Sequence, residues 1–209
     1  MRRVVKPYKT GFRALGLAER FARNERLSVL AGVVQRRDLV VDGVYFTGLT
    51  VGGLDATEKI VSLVRESGRR DVNVILTNGC IVSWFNIIDI ERVYRDTGVP
   101  VICVSYEESE GLEKYIREYF PGDEERLRLY RRLGPREKMY LRRAGRYLYV
   151  RYAGLEREEA RSVLEAFSLG GVPEPLRVAQ AVARAAYEFF RGACPVMFRQ
   201  PNNTVRGES

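Results

Sequence analysis

Apolar and polar positions along this chain divide it into short strands followed by helices. Phe12–Leu17 (FRALGL), Leu27–Gln35 (LSVLAGVVQ) and Val40–Val51 (VVDGVYFTGLTV) are apolar enough for three successive strands. The polar breaks between them, AERFARNER and RRD, are short, which favours antiparallel hairpins. Asp42-Gly43 falls inside the third strand and reads as a bulge. Gly52-Gly53 then opens a helix, Leu54–Gly68, in which Ile60, Val61, Leu63 and Val64 recur at helical spacing.

The next stretch is the most informative. A strand, Val72–Leu76, runs into Thr77-Asn78-Gly79; a helix is predicted over Phe85–Gly98 and a second apolar strand over Val99–Val104. Strand, helix and strand at this spacing make a βαβ unit, whose strands are parallel and whose sheet is covered. Ligands sit at the carboxyl ends of such strands. Here that edge offers Thr and Asn, where a metal-dependent enzyme would place Asp or Glu. Beyond it the pattern predicts charged helices over Leu112–Phe120 and Asp123–Leu133 and a hairpin over Lys138–Tyr152, turning at Ala144-Gly145. Helices over Glu156–Phe167 and Pro175–Phe190 follow, then a flexible tail, Cys194–Ser209, rich in Pro and Asn. The expected fold class is α/β: a mixed five-stranded sheet, three antiparallel strands and then the parallel βαβ, flanked by helices. Residues 1–193 are expected to form one domain, with 122–152 as a basic helix–hairpin insertion that adds a small hairpin.

Composition narrows the chemistry. No apolar run reaches the roughly 18 residues needed to cross a bilayer, and MRRVVKPYKTG lacks the apolar core of a signal peptide. A cytoplasmic protein without membrane contact is the expectation. Cys80, Cys103 and Cys194 follow no zinc-site spacing, and the first two read as small buried residues. The absence of histidine excludes His triads, His bases and His metal sites. Any metal must be a hard cation held by oxygen, such as Mg²⁺ or Mn²⁺. The net charge of +8 comes from 30 Arg and 5 Lys against 27 acids. Arg forks onto phosphate better than Lys does, which points to a polyanionic partner; a GC-rich genome or a heat-adapted surface gives the same excess.

Several phrases together carry a resemblance: GLDATEKI (Gly53–Ile60), ILTNG (Ile75–Gly79), FNIIDI (Phe85–Ile90), TGVPVI (Thr97–Ile102) and GGVPEPLRVAQAVA (Gly170–Ala183). Over roughly residues 12–191 the chain resembles the archaeal domain-of-unknown-function family ninety-nine, which is grouped with endonuclease V in the ribonuclease H-like superfamily. The resemblance implies a ribonuclease H-like sheet with three carboxylate positions: at the end of the first strand, near the start of the first helix, and at the end of the fourth strand. In endonuclease V such a trio holds Mg²⁺, which activates water against a phosphodiester. The first position falls on Ala18 and Glu19, the second on Asp55 with Glu58 close by, and the third on Asn78. One position is kept, one is shifted or lengthened, and one has lost its charge.

Each candidate also has a plainer reading. Asp55 and Glu58 share a helix face and could reach one cation, but Asp-Ala-Thr-Glu is equally a capping box. Asn78 could lend an amide oxygen to a metal, yet Asn-Gly makes a turn unaided. Glu19 sits among Arg13, Arg20, Arg23 and Arg26 and could pair with any of them. Asn86 is placed to cap the second helix, with Asp89 inside it. Arg177, in the first turn of the last helix, opposes the macrodipole and calls for an anionic partner, Glu174 or a phosphate. Between Arg126 and Arg151 ten basic residues stand against one acid, with Tyr130, Tyr140, Tyr147 and Tyr149 interleaved. Arg128, Arg131, Arg132, Arg142, Arg143 and Arg146 in this segment, with Arg177, are the nucleic-acid candidates. Alternation alone also predicts a hairpin whose tyrosines pack inward.

Three functions follow as expectations. The first is a nucleic-acid-binding protein on an endonuclease V-like scaffold, its metal site (Asp55 and Glu19) degenerate. The second is an active Mg²⁺- or Mn²⁺-dependent nuclease using Glu19, Asp55, Glu58 and Asn78. The third is a protein-interaction module.

Overall fold

The architecture was obtained as a computed structural model, which describes residues 5–200. The sheet has seven strands: β1 (Arg13–Arg20), β2 (Leu27–Arg36), β3 (Val41–Thr50), β4 (Val74–Asn78), β7 (Val101–Ser105), β8 (Glu137–Leu141) and β9 (Arg146–Ala153), in the order β3-β2-β1-β4-β7-β9-β8. β1, β2 and β3 form an antiparallel meander. β4 pairs parallel with β1, and β7 parallel with β4. The predicted bulge falls where the β2–β3 register slips, between Val34 and Gln35, with Gly43 opposite Val34.

Two expectations are corrected here. The hairpin is no appendage: β9 pairs antiparallel with β7 and extends the main sheet, with β8 as its edge. Its inward side chains, Met139, Leu141, Leu148 and Val150, are fully apolar and join the main core, which is why the pair docks rather than projects. The helix expected from Phe85 starts five residues later, as α2 (Ile90–Thr97). A small hairpin of β5 (Ile81–Val82) and β6 (Asn86–Ile87) occupies the intervening residues.

Alternation assigns the faces. Leu15, Leu17, Ile75, Val101 and Cys103 meet α1 (Ala56–Glu66) and α2 through Ile60, Val64 and Val93. Ala14, Val74, Leu76, Ile102 and Val104 meet α5 (Arg157–Phe167) and α6 (Glu174–Ala193) through Val163, Leu164, Phe167 and Leu176. A strand buried on both faces needs small residues where a helix crosses closely, and β1 supplies them. A Cβ on Gly16 would lie 2.3 Å from the Pro175 carbonyl oxygen. Ala18 lies on the same face, packed with Val33 and Ala179.

The first residues of the expected tail form a helix instead. α7 (Pro195–Phe198) follows α6, and Phe198 is buried with Val29 and Tyr187. Glu25 holds this end: it accepts from the Tyr187 hydroxyl at 2.6 Å and Arg191 Nε at 2.8 Å, while its carbonyl takes the Gln200 amide at 2.9 Å. Residues 201–209 of the predicted tail lie outside the described residues.

Candidate nucleic-acid interface

β1, β4 and β7 run in one direction, so their carboxyl ends line one edge of the sheet, joined there by the start of α1 and the loop after β4. Glu19 ends on this edge on the face of Leu15 and Leu17; Asn78, in step with Val74 and Leu76, lies on the opposite face. Ala18 shares Asn78's face but lies under α6. A carboxylate shifted by one residue on a strand changes face, so Glu19 does not replace what Ala18 lacks.

Asp55 stands at the N-cap of α1 but caps nothing. Its carboxylate accepts from the Thr50 hydroxyl at 2.9 Å, the Thr50 N–H at 3.2 Å and the Asn86 amide at 2.6 Å. The capping-box reading therefore fails; Glu58 is exposed. The cap comes from far along the chain, because Asn86 Oδ1 accepts the Ala56 N–H at 3.0 Å. Asn86 does not cap α2. Asp89 does, accepting from the Arg92 N–H at 3.0 Å.

Between these groups lies a strained turn. Ser83, Trp84 and Phe85 all have positive φ, at 44°, 56° and 64°. Left-handed backbone costs about 1–2 kcal/mol for each ordinary residue, so three store roughly 3–6 kcal/mol. The surroundings impose it. Glu19 Oε1 accepts the Ser83 N–H at 3.2 Å, the Ser83 carbonyl accepts the Gly52 N–H at 2.7 Å, and the Ser28 and Ser83 hydroxyls bond at 2.5 Å. Trp84 and Phe85 pack on Tyr119 and Phe120, with centroids 5.5–5.9 Å apart. Glu19 Oε2 is buried without a partner, and burial pushes the Glu19 carboxyl above its ordinary value of 4.5.

Arg126, one of the ten basic residues of the candidate segment, is only 4% exposed. Its guanidinium donates to the carbonyls of Gly52, Gly53 and Phe85 and to Asp123, and lies 3.9 Å from the Phe120 ring centroid. It ties the α1 start, the strained turn and α4 (Glu124–Arg132) together. No sequence signal distinguishes it from its exposed neighbours.

The other arginines divide. Arg131 forks onto Glu113, Arg132 reaches Asp89 at 3.3 Å, and Arg128 stands 4.0 Å from Glu125. Arg177 grips Glu174, so its anionic partner is internal. Arg142, Arg143 and Arg146 are exposed around the hairpin turn; Arg146 Nη2 donates to the Tyr106 carbonyl.

Beside the strand ends, between Gly79 after β4 and Ser105 of β7, opens a cavity of about 480 Å³. Tyr130, Arg136, Lys138, Tyr149 and Arg151 line it, with Glu108 and Glu110 at the loop that closes it. Arg136 spans the Glu107 and Ser109 carbonyls and lies 5.5 Å from the Tyr149 ring centroid. Cationic groups and aromatic rings thus share one concave wall, suited to phosphate and base together.

The edge does not fit a resident Mg²⁺ or Mn²⁺. Asp55 has both oxygens engaged, Asn78 is neutral, Glu58 is exposed, and Glu19 keeps one buried oxygen without a partner. Among the described residues no three acidic, Cys or His side chains gather as a metal group. Mg²⁺ dehydrates reluctantly and is held through carboxylates with oxygens to spare, usually with substrate phosphates beside them.

Residues 10–187 match the sequence profile of the family described as endonuclease dU. The chain belongs to the endonuclease dU family. Among its relatives, a UPF0215 protein of Pyrobaculum calidifontis is 40% identical over 177 residues, covering 84% of this chain and 97% of that protein. A protein of unknown function from Archaeoglobus fulgidus matches in structure with a TM-score of 0.73 and 31% identity, covering 84% of this chain and 98% of that one. Human ENDOV superposes with a TM-score of 0.59 at 17% identity, covering 85% of each chain. Ciona intestinalis endonuclease V, in complex with inosine-containing DNA, gives 0.55 at 14%, covering 86% of this chain and 87% of that one. The resemblance to an archaeal family related to endonuclease V is thereby borne out, as is a mixed α/β fold like that of endonuclease V. Among the described residues no helix is long and apolar enough to cross a membrane.

Proposed function

We propose that this member of the endonuclease dU family binds nucleic acid on a ribonuclease H-like scaffold and has turned its former metal-site positions to structural use. The order of the first five strands in the sheet, β3-β2-β1-β4-β7, supports the scaffold reading. The cavity at the carboxyl ends of β4 and β7 carries the functional one: Arg136, Lys138 and Arg151 supply phosphate contacts, and Tyr130 and Tyr149 supply faces for a base. The DNA seen on Ciona endonuclease V supports the same ligand class. Asp55 and Glu19 serve as anchors for Thr50, Asn86 and the strained turn.

Fluorescence anisotropy with labelled deoxyuridine-containing DNA tests this. Affinity should fall steeply with salt, and Arg136→Ala with Lys138→Ala should flatten the log–log slope by about two. Incubation of the same DNA with Mg²⁺ or Mn²⁺ should leave it uncut. Negligible binding at low salt would sink the reading; chelator-sensitive cleavage abolished by Asp55→Ala would sink its structural half. One observation favours the active-nuclease alternative, the unpartnered Glu19 Oε2. Glu19→Gln decides it, since only in a nuclease would that change abolish cutting.

A further inference from the structure

The outer face of the edge hairpin is built of residues that folding does not require there. Lys138 and Tyr140 of β8 and Tyr147 and Tyr149 of β9 point away from the core, opposite in direction to Met139, Leu141, Leu148 and Val150. Tyr140 and Tyr147 are register partners, 47% and 52% exposed, with ring centroids 5.1 Å apart. Lys138 Nζ lies 4.9 Å from the Tyr147 centroid and 5.7 Å from that of Tyr149. The row is continuous with the cavity, because Lys138 and Tyr149 line both. At its far end stands Arg142, exposed. The acid of the hairpin, Glu137, is taken up by Arg157 and Tyr152.

We propose that this face is a stacking platform for a single-stranded stretch of nucleic acid leading into the cavity; the inference rests on the nucleic-acid reading above. Exposed aromatic rings in a cationic setting suit bases flanked by phosphates. Spacing selects the single strand. Tyr147 and Tyr149 are two residues apart on one strand face, about 6.8 Å, against a step of roughly 3.4 Å along a duplex strand. Bases seated on both rings are therefore unstacked from one another, which a paired strand does not allow. Stacking tolerates every base, so the platform adds affinity without sequence preference, and the cavity is left to select the base it encloses.

The test compares fluorescein-labelled oligo-dT and oligo-rU 15-mers with a duplex of the same length, for the wild type and for Tyr140→Ala/Tyr147→Ala and Tyr140→Phe/Tyr147→Phe. Both tyrosines are exposed, and equal melting temperatures will establish that the variants fold. The Ala pair should lose single-strand affinity by roughly 5- to 150-fold for each base unseated, with duplex affinity unchanged, and the Phe pair should restore it. Wild-type affinity for the Ala pair on both single strands overturns the platform while leaving the cavity reading intact. Equal losses on single strand and duplex overturn the selectivity argued here. Failure of the wild type to bind any of the three probes overturns the nucleic-acid reading itself. Loss on oligo-dT but not oligo-rU, or the reverse, supports the platform and shows which of the two strands it takes.

Discussion

Replacing Arg126 by Met should reveal how firmly the carboxyl edge is tied together. Met fills a similar volume and keeps contact with the Phe120 ring, so packing is nearly conserved and the hydrogen bonds are what is lost. Three carbonyls, of Gly52, Gly53 and Phe85, lose a charged donor. An orphaned buried acceptor costs about 1–3 kcal/mol. These residues are half-buried, so water reaches part of the site and the lower half of that range applies. Relaxation of the Ser83–Phe85 turn then returns some of its stored strain. The net loss should be about 3–5 kcal/mol, in line with breaking other buried charged networks. At a urea m-value of about 2 kcal/mol/M the denaturation midpoint falls by about 1.5–2.5 M. Trp84, the only tryptophan, sits in the affected turn and gives a second readout, a red-shifted emission before global unfolding. A midpoint lowered by less than 0.5 M with unchanged emission would refute the keystone role of Arg126.

Two further outcomes follow from titrating groups. Burial raises the Glu19 carboxyl above 4.5, so the folded protein keeps a proton that the unfolded chain has already released. Stability should fall as pH rises from 4.5 through the raised value and then level off; Glu19→Gln should lack that slope, and parallel melting-temperature profiles for the two proteins between pH 4 and 8 would contradict this. The Tyr187 hydroxyl is pushed up to about 12, first by burial and then by its bond to Glu25. Stability should therefore decline between about pH 10 and 12, and Tyr187→Phe should lessen that decline, Tyr106 and Tyr152 being pushed up to about 12 as well, at the cost of roughly 1–2 kcal/mol at neutral pH; an unchanged alkaline limb in urea unfolding would count against the Tyr187–Glu25 bond.

Much of the architecture was legible because it is written in short-range periodicity. The meander, the βαβ and the late helices all follow from alternation or helical spacing in the core residues themselves. What escaped depends on partners distant in the chain. Phe85-Asn86-Ile87-Ile88 has a helical apolar look, yet it continues a left-handed turn into β6, because Glu19 and Gly52 hold Ser83 just before it, Arg126 holds Phe85, and Asn86 bonds Ala56, Thr50 and Asp55. Asp55 and Glu58 have the spacing of a capping box, but a competing donor pair, Thr50 and Asn86, claims Asp55 first. That Ala18 and Asn78 bring no charge to the strand ends is read directly from the sequence. That Glu19 faces the other side of the sheet follows from the period of a strand, and needed only the register to be decided. Arg126 was the least legible, since a buried and an exposed arginine look alike in sequence.

The cap that Asn86 places on Ala56 also bears on the order of folding. A helix usually carries its own start signal within four residues, so its first turn can form as soon as it is made. α1 instead has its first N–H satisfied by a side chain 30 residues downstream. Closing that loop costs entropy that no local contact repays. The N-terminal turn of α1 should therefore remain frayed until β4 and the β5–β6 hairpin have docked, while its C-terminal turns form early. The meander and the parallel half of the sheet are in this way made to reach the native state together.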